Sequence, residues 1–192
     1  MRSMASSCLA LLLAGIFHPA AADDPAPWVL ESRAAAQALG GRLMGELTAA
    51  MADSPAAAIE VCSARAPQIA AEESAARGAR IGRTALRVRN PANAPSEWQR
   101  RVLESFAEAL AAGADPATLE YTEVVPVGGA DERRWMKPIV TGPLCLTCHG
   151  TTLAPEVAAA VEARYPQDEA VGFTAGELRG AFQVVWPAAT GH

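Results

Sequence analysis

The sequence has few aromatic residues, no excess of basic residues and no apolar run long enough to span a bilayer. Aromatic residues make up 5% of this alanine-rich chain, so helices are expected to dominate. Its 21 acidic residues outnumber its 16 basic ones, and the absence of a basic stripe argues against nucleic acid as a partner. It has no internal repeat, and its 192 residues suit one domain rather than several.

The first 22 residues have the features of a cleaved signal peptide. Arg2 provides a short positive region, residues 8–17 are apolar, and Ala20 to Ala22 offer a small-residue cleavage site. The alternative is an N-terminal membrane anchor, but the apolar run is short for a bilayer span of about 20 residues. We therefore expect a periplasmic protein whose residues 23–192 form a single domain without a transmembrane segment.

The strongest chemical signal is the segment Cys145-Leu-Thr-Cys148-His149. Two cysteines separated by two residues and followed by histidine are typical of c-type haem attachment, with thioethers from both thiols and the histidine as proximal iron ligand. The pattern predicts one covalent haem c on Cys145 and Cys148, ligated by His149. Alternatives are a redox disulfide, for which no βαβ unit is predicted, and a Cys₃His zinc site that includes Cys62. Adjacent Cys148 and His149 rarely reach one tetrahedral ion, so zinc is the weaker interpretation.

The residues leave several candidates for the ligand on the other side of the iron. His18 leaves with the signal peptide and His192 is the last residue. No methionine follows His149, which argues against the usual cytochrome c plan. The site is either open or completed by one of five candidates: Met44, Met51, Met136, Lys137 and Cys62. Cys62 is either a thiolate ligand or a small buried apolar residue.

Apolar periodicity and cap residues predict helices gathered around a small antiparallel sheet, an α+β domain. Helices are predicted over 28–52, from Ser54-Pro55 with a kink or restart at Pro67, from the capping box of Ser96 and Gln99, and over 155–164. Strands are predicted over 80–89, 118–127, 132–140 and 177–186, with a hairpin at Gly128-Gly129. In the last strand, Leu178, Phe182, Val184 and Trp186 are expected on one face.

Several segments resemble the PAS-like, c-type haem domain first described in a cyanobacterial protein and long catalogued as a domain of unknown function. The shared segments are 58–62, 81–84, 89–95, 136–139, 145–150, Tyr165-Pro166, Gly172-Phe173 and Arg179-Gly180. The resemblance implies a PAS-like fold with about five antiparallel strands and His/Cys axial ligation, carried here by His149 and Cys62. Many relatives join this domain to membrane and signalling segments, so a signal from this chain is expected to pass to a separate partner.

A haem c with His/Cys ligation suits three classes of function. The first hypothesis is a periplasmic sensor of redox state or of a diatomic gas, with CO or NO as candidate ligands if Cys62 leaves the iron on reduction. The alternative is a low-potential electron-transfer cytochrome with an unknown redox partner. An enzyme is the third class, because no acid–base group lies beside the motif. Candidate partners of the haem propionates are Arg83, Arg87, Arg89 and Lys137.

Overall fold

The structure is a computed structural model that describes residues 24–188, in which helices lie before and beside a four-stranded antiparallel sheet. This arrangement confirms the α+β prediction. The predicted signal peptide lies outside the described residues. Between residues 24 and 188, no helix combines the length and the apolar character needed to cross a membrane.

The helices and strands follow one another in the order predicted, with one helix more than predicted. The helices are α1 (Pro27–Asp53), α2 (Pro55–Glu60), α3 (Ala66–Arg77), α4 (Glu97–Ala111), α5 (Pro143–His149) and α6 (Pro155–Arg164). A π-helical turn over Val61–Arg65 joins α2 to α3, and a short 3₁₀ turn covers Pro91–Asn93. The strands are β1 (Arg80–Thr84), β2 (Tyr121–Val127), β3 (Ala130–Val140) and β4 (Leu178–Trp186). The helix not predicted is α5.

The sheet has the strand order β1-β4-β3-β2 with every neighbouring pair antiparallel. The resemblance implied about five strands, and residues 24–188 form four. The hairpin between β2 and β3 is confirmed, since Val127 pairs with Ala130 across Gly128 and Gly129. Both glycines have positive φ, at 61° and 87°, as a two-residue hairpin turn of this kind requires.

The two faces of the sheet carry separate apolar cores. Trp135 and Val184 are fully buried against α1 and α3, whereas Met136 and Ala181 are fully buried on the α4 side. The prediction that Leu178 shares a face with Phe182, Val184 and Trp186 is wrong, because Leu178 packs with the α4 core. The cause is a register shift at Ile139/Val140, where Val140 pairs with Leu178 and Arg179 is skipped.

The strand predicted over 80–89 ends at Thr84. The Thr84 hydroxyl donates to the Asn93 carbonyl at 2.9 Å, and the chain then bends away from the sheet. The arginines that follow bind the 168–173 loop: Arg87 donates to the Val171 carbonyl at 2.9 Å, and Arg89 pairs with Asp168 at 3.0 Å. These long-range contacts therefore set the conformation of residues 85–89, and the side chains of this segment do not alternate between two faces as in a strand.

Glu120 connects α1 to the sheet through its carboxylate. It accepts hydrogen bonds from Arg33 Nε at 2.8 Å and from the indole nitrogen of fully buried Trp135 at 2.6 Å. The bond from Arg33 is the main cause that lowers the pKa of Glu120, against the opposing effect of burial. A carboxyl whose folded-state pKa is depressed stabilises the fold above its unfolded pKa, and this contribution is lost as the pH falls.

Glu120→Gln should lower the free energy of unfolding by about 1–3 kcal/mol at neutral pH, because a charge-assisted pair becomes neutral. The deficit should shrink as the pH falls below the ordinary glutamate pKa of about 4.3, because the unfolded parent chain then takes up a proton while the folded carboxylate is still charged, and it should vanish once the folded carboxylate is protonated as well. Urea unfolding of parent and variant at pH 7 and at about pH 3 measures both effects. Glu97→Gln is the control, because the Glu97 side chain is 92% exposed and a change within about 0.5 kcal/mol is expected. An equal loss in the free energy of unfolding at pH 7 and at about pH 3 would contradict a stabilising role for the charged Glu120 carboxylate.

Candidate functional site

A cavity of about 220 Å³ lies between α1, the π-helical turn, the end of β1 and α5. Its lining includes all the site residues predicted from the sequence: Cys62, Cys145, Cys148 and His149. Most of the remaining wall is apolar, with Leu43 and Leu47 from α1 and Phe182 from β4. The fold thus brings Cys62 to the CxxCH segment from a distant part of the sequence.

Helix α5 carries the CxxCH segment. Pro143 stands in its first turn, where the missing backbone N–H costs no hydrogen bond. Cys145 and Cys148 are three residues apart and therefore lie on the same side of the helix, toward the cavity. After His149, a Cβ at Gly150 would lie 2.5 Å from the Leu146 carbonyl oxygen, so the helix can end in this way only with glycine. Pro143 before the motif was the sequence signal for this helix.

The His149 ring is held by the 168–173 loop. Its Nδ1–H donates to the Ala170 carbonyl at 2.6 Å, and Phe173 packs edge-on with ring centroids 6.3 Å apart. Burial lowers the pKa of His149 to about 3, with help from the charges of Arg179 and Arg89. At neutral pH the imidazole is therefore uncharged, and with the proton on Nδ1 its Nε2 keeps a free lone pair.

Cys62 lies in the π-helical turn between α2 and α3. Pro67 has no backbone N–H, and the N–H of Ala66 instead donates to the Val61 carbonyl five residues back. This geometry confirms that the helix restarts near Pro67, and it brings Cys62 to the cavity wall. A π-helical turn of this kind cannot be seen in apolar periodicity, which is why the prediction was a kink or restart at Pro67 without a π-helical turn.

Two of the candidate ligands are removed by the geometry. Met136 is fully buried in the α4 core, and the Lys137 ammonium donates to the carbonyls of Ala117 and Leu119. Neither residue lines the cavity, whereas Met44 and Met51 do.

The disulfide and zinc alternatives are not formed in the described part of the chain. Cys62, Cys145 and Cys148 are all free thiols. Between residues 24 and 188, no three His, Cys, Asp or Glu side chains are grouped closely enough to hold a metal ion by themselves. Burial raises the pKa of Cys148, so this thiol is held in its protonated form.

Three arginines line the cavity, and none of its described lining residues is acidic. Arg83 and Arg89 were predicted as anion partners, whereas Arg179 was missed because its apolar neighbours suggested a plain strand. Arg83 has no side-chain hydrogen-bond or ion-pair partner among residues 24–188, and Arg89 Nη1 and Arg179 Nε are buried and unpaired there. Burial lowers the pKa of Arg83, and it lowers that of Arg179 to about 10 together with the charges of Arg89 and Arg83.

The other two predicted anion partners lie away from the cavity. Arg87 stacks on the Phe173 ring, with its guanidinium carbon 3.6 Å from the ring centroid, and Lys137 is bound to backbone carbonyls. The cavity thus combines thiols and an imidazole with an excess of half-buried positive charge, and it suits a large apolar ligand that carries carboxylates.

A family model described as Tll0287-like matches residues 18–187. The chain belongs to the Tll0287-like family. The structure is similar to the crystal structure of the cyanobacterial heme-protein Tll0287, with a TM-score of 0.66 and 21% sequence identity, over 88% of this chain and 100% of that chain. The comparison with curated proteins gave no match. The family match confirms the resemblance found in the sequence, and the structural match shows that the two proteins share a fold.

Proposed function

We propose that this member of the Tll0287-like family binds one haem c, attached covalently to Cys145 and Cys148, with His149 and Cys62 as axial ligands. The observation that carries the proposal is that all four side chains line one apolar cavity. The structurally similar Tll0287 is described as a heme-protein, which supports the same class of cofactor here.

The apolar walls and the arginines of the cavity also fit a haem, in addition to the cysteines and the histidine. A haem has an apolar ring that suits the walls formed by α1 and Phe182, and carboxylates that need positive partners. We assign Arg83 and Arg179 to these carboxylates, because both guanidinium groups line the cavity without a carboxylate partner among the described residues. Arg89 differs, since it is already paired with Asp168.

Each site residue has a defined task in this proposal. Cys145 and Cys148 hold the group through thioether bonds, which lets so small a site retain it. The Ala170 carbonyl fixes the His149 tautomer, so that Nε2 is the donor. Cys62 supplies a thiolate, which favours the oxidised state. The bound group itself would supply an iron that exchanges one electron and accepts small ligands.

We propose a periplasmic sensor of redox state or of a diatomic gas such as CO or NO, built on a PAS-like fold. The support for sensing is the position of Cys62 in a π-helical turn between two α-helices, a local geometry that can convert to α-helix and move the thiol. The periplasmic location rests on the signal peptide predicted over residues 1–22. A separate protein would receive the signal.

A low-potential electron-transfer cytochrome is the second candidate. It is favoured by the mouth of the cavity, where Met44 is 48% exposed and Leu144 is 39% exposed. An exposed apolar rim of this kind would let a redox partner approach the cofactor edge closely. A carrier should keep both axial ligands in both oxidation states, whereas the proposed sensor should release Cys62 on reduction.

Absorption spectra of the exported protein, ferric and ferrous, with and without CO, test the proposal. Covalent attachment predicts that the haem stays with the chain after denaturation, as mass spectrometry measures. A CO-dependent change in the ferrous spectrum supports the sensor, and an unchanged six-coordinate spectrum supports the electron carrier. If the chain is produced in a compartment where c-type haems are attached and is still purified without haem, both the sensor and the electron carrier are excluded.

The assignment of Arg83 has its own test. Arg83→Met should keep the covalent haem but lower the reduction potential, because a half-buried positive charge near the cofactor is lost. The propionate pKa should rise without this partner, so the potential should depend more steeply on pH between about 5 and 8. Potentiometric titration at several pH values measures both changes. Arg101→Met, at a side chain 63% exposed and away from the cavity, is the control. A potential that matches the parent at every pH removes the assignment.

A further inference from the structure

A buried ion pair lies directly behind the His149 ring. Arg89 and Asp168 have side chains only 6% and 8% exposed, and they meet through two hydrogen bonds: Nε to Oδ1 at 3.1 Å and Nη2 to Oδ2 at 3.0 Å. Such a pair is costly to bury, and replacement by apolar residues is often neutral or stabilising. Its presence next to the site therefore calls for a role beyond packing.

The pair contacts the backbone that holds the histidine. Arg89 Nη2 donates to the Cys148 carbonyl at 2.6 Å and to the Ala170 carbonyl at 3.3 Å. Asp168 Oδ1 accepts from the Ala170 N–H at 2.9 Å. The Ala170 carbonyl is also the acceptor of His149 Nδ1–H, at 2.6 Å. One carbonyl oxygen is thus shared by the guanidinium and the imidazole.

This sharing makes the donor strength of the imidazole depend on the pair. When the Arg89 guanidinium donates to the Ala170 oxygen, that oxygen accepts the hydrogen bond from His149 Nδ1–H more weakly. The imidazole ring therefore has less anionic character. Asp168 opposes this effect, because it neutralises Arg89 and accepts from the same residue. In a buried site these charges are screened far less than in water, so their effect on Nε2 is large.

We propose that Arg89 and Asp168 form a positioning pair that fixes the orientation of the His149 ring and sets its strength as a ligand, and thereby sets the reduction potential of the site. The inference rests on the proposed function, since it presupposes that His149 binds the haem iron. It predicts effects of opposite sign from the two members. A pair that only stabilises the fold would make both substitutions act alike, through loss of stability.

Potentiometry of the purified holoproteins tests the signs. Arg89→Gln should lower the potential, with about a tenfold smaller ferrous-to-ferric ratio at a fixed electrode potential, equivalent to 59 mV for one electron. Asp168→Asn should raise the ratio by a similar factor, because Arg89 then acts on the Ala170 carbonyl unopposed. Arg89→Lys keeps the charge but not the planar fork. It should stay near the parent potential while its ferric electron paramagnetic resonance g-values shift with the ring orientation.

Glu73→Gln is the matched control, because it weakens the contacts of a buried carboxylate with two arginines, Arg42 and Arg77, and none of the three residues lines the cavity. It should lower stability and change the ferrous-to-ferric ratio less than about twofold. If Arg89→Gln does not fold, Asp168→Asn and Arg89→Lys decide the question. The inference is overturned if Arg89→Gln and Asp168→Asn shift the potential in the same direction, or if Asp168→Asn keeps the parent potential and Arg89→Lys keeps the parent g-values. A parent without haem, or without histidine ligation, instead overturns the proposed function.

Discussion

Cys148→Ala should reduce the haem that remains with the chain after denaturation by about tenfold, because only one thioether can form and single attachment is poorly matured. Replacement of both Cys145 and Cys148 should abolish it. The reason is geometric: the two thiols lie on one side of α5 and face one cavity, so each can bond to a different position of the same haem. Mass spectrometry of the denatured chain, or a haem stain after denaturing electrophoresis, measures the retained fraction.

Cys148→Ala removes only the thiol, because alanine keeps the backbone carbonyl at position 148 that accepts from Arg89. Thr147→Ala is the matched control, since Thr147 stands between the two cysteines on the same helix and does not line the cavity. It should retain as much haem as the parent. If Cys148→Ala also retains parental amounts after denaturation, thioether attachment at this position is wrong.

The parts of the fold that could be predicted from the sequence are those that local patterns determine. Helix α1 over Pro27–Asp53 follows the spacing of its leucines, and α4 begins at the capping box, where the Ser96 N–H donates to Gln99 Oε1 at 2.7 Å. Gly40 and Gly41 are poor helix formers, yet α1 continues through both of them. A Cβ at Gly40 would lie 3.0 Å from the Phe182 ring, so this glycine serves close packing of the helix on the sheet.

The parts that could not be predicted depend on contacts between distant segments. The strand over 80–89 ended early because Arg87 and Arg89 bind the 168–173 loop, about eighty residues further along the chain. Arg179 reached the cavity through a register shift that no local pattern reveals. The four predicted site residues line one cavity. No distance between them follows from local patterns, and their roles as ligands stay predictions.

Cys62→Ala should keep the covalent haem and yet change the ferric absorption spectrum, because the thiolate ligand is lost while the thioethers remain. The reduction potential should rise strongly, since a charge-donating ligand that favours the oxidised state is removed. We expect at least about a hundredfold larger ferrous-to-ferric ratio at a fixed electrode potential, or ~120 mV for one electron. The ferric protein should also bind added imidazole or cyanide more readily than the parent does.

Ser63→Ala is the control for Cys62→Ala, because Ser63 lies in the same π-helical turn and does not line the cavity. Its hydroxyl donates only to the Glu60 carbonyl, so spectrum and potential should match the parent. An unaltered ferric spectrum in Cys62→Ala would assign the ligand elsewhere, and Met44 and Met51 are then the remaining candidates on the cavity wall. Met44→Leu and Met51→Leu separate these two, because only the variant that removes the true ligand changes the spectrum. If Cys62 is the ligand, both methionine variants keep the parental ferric spectrum.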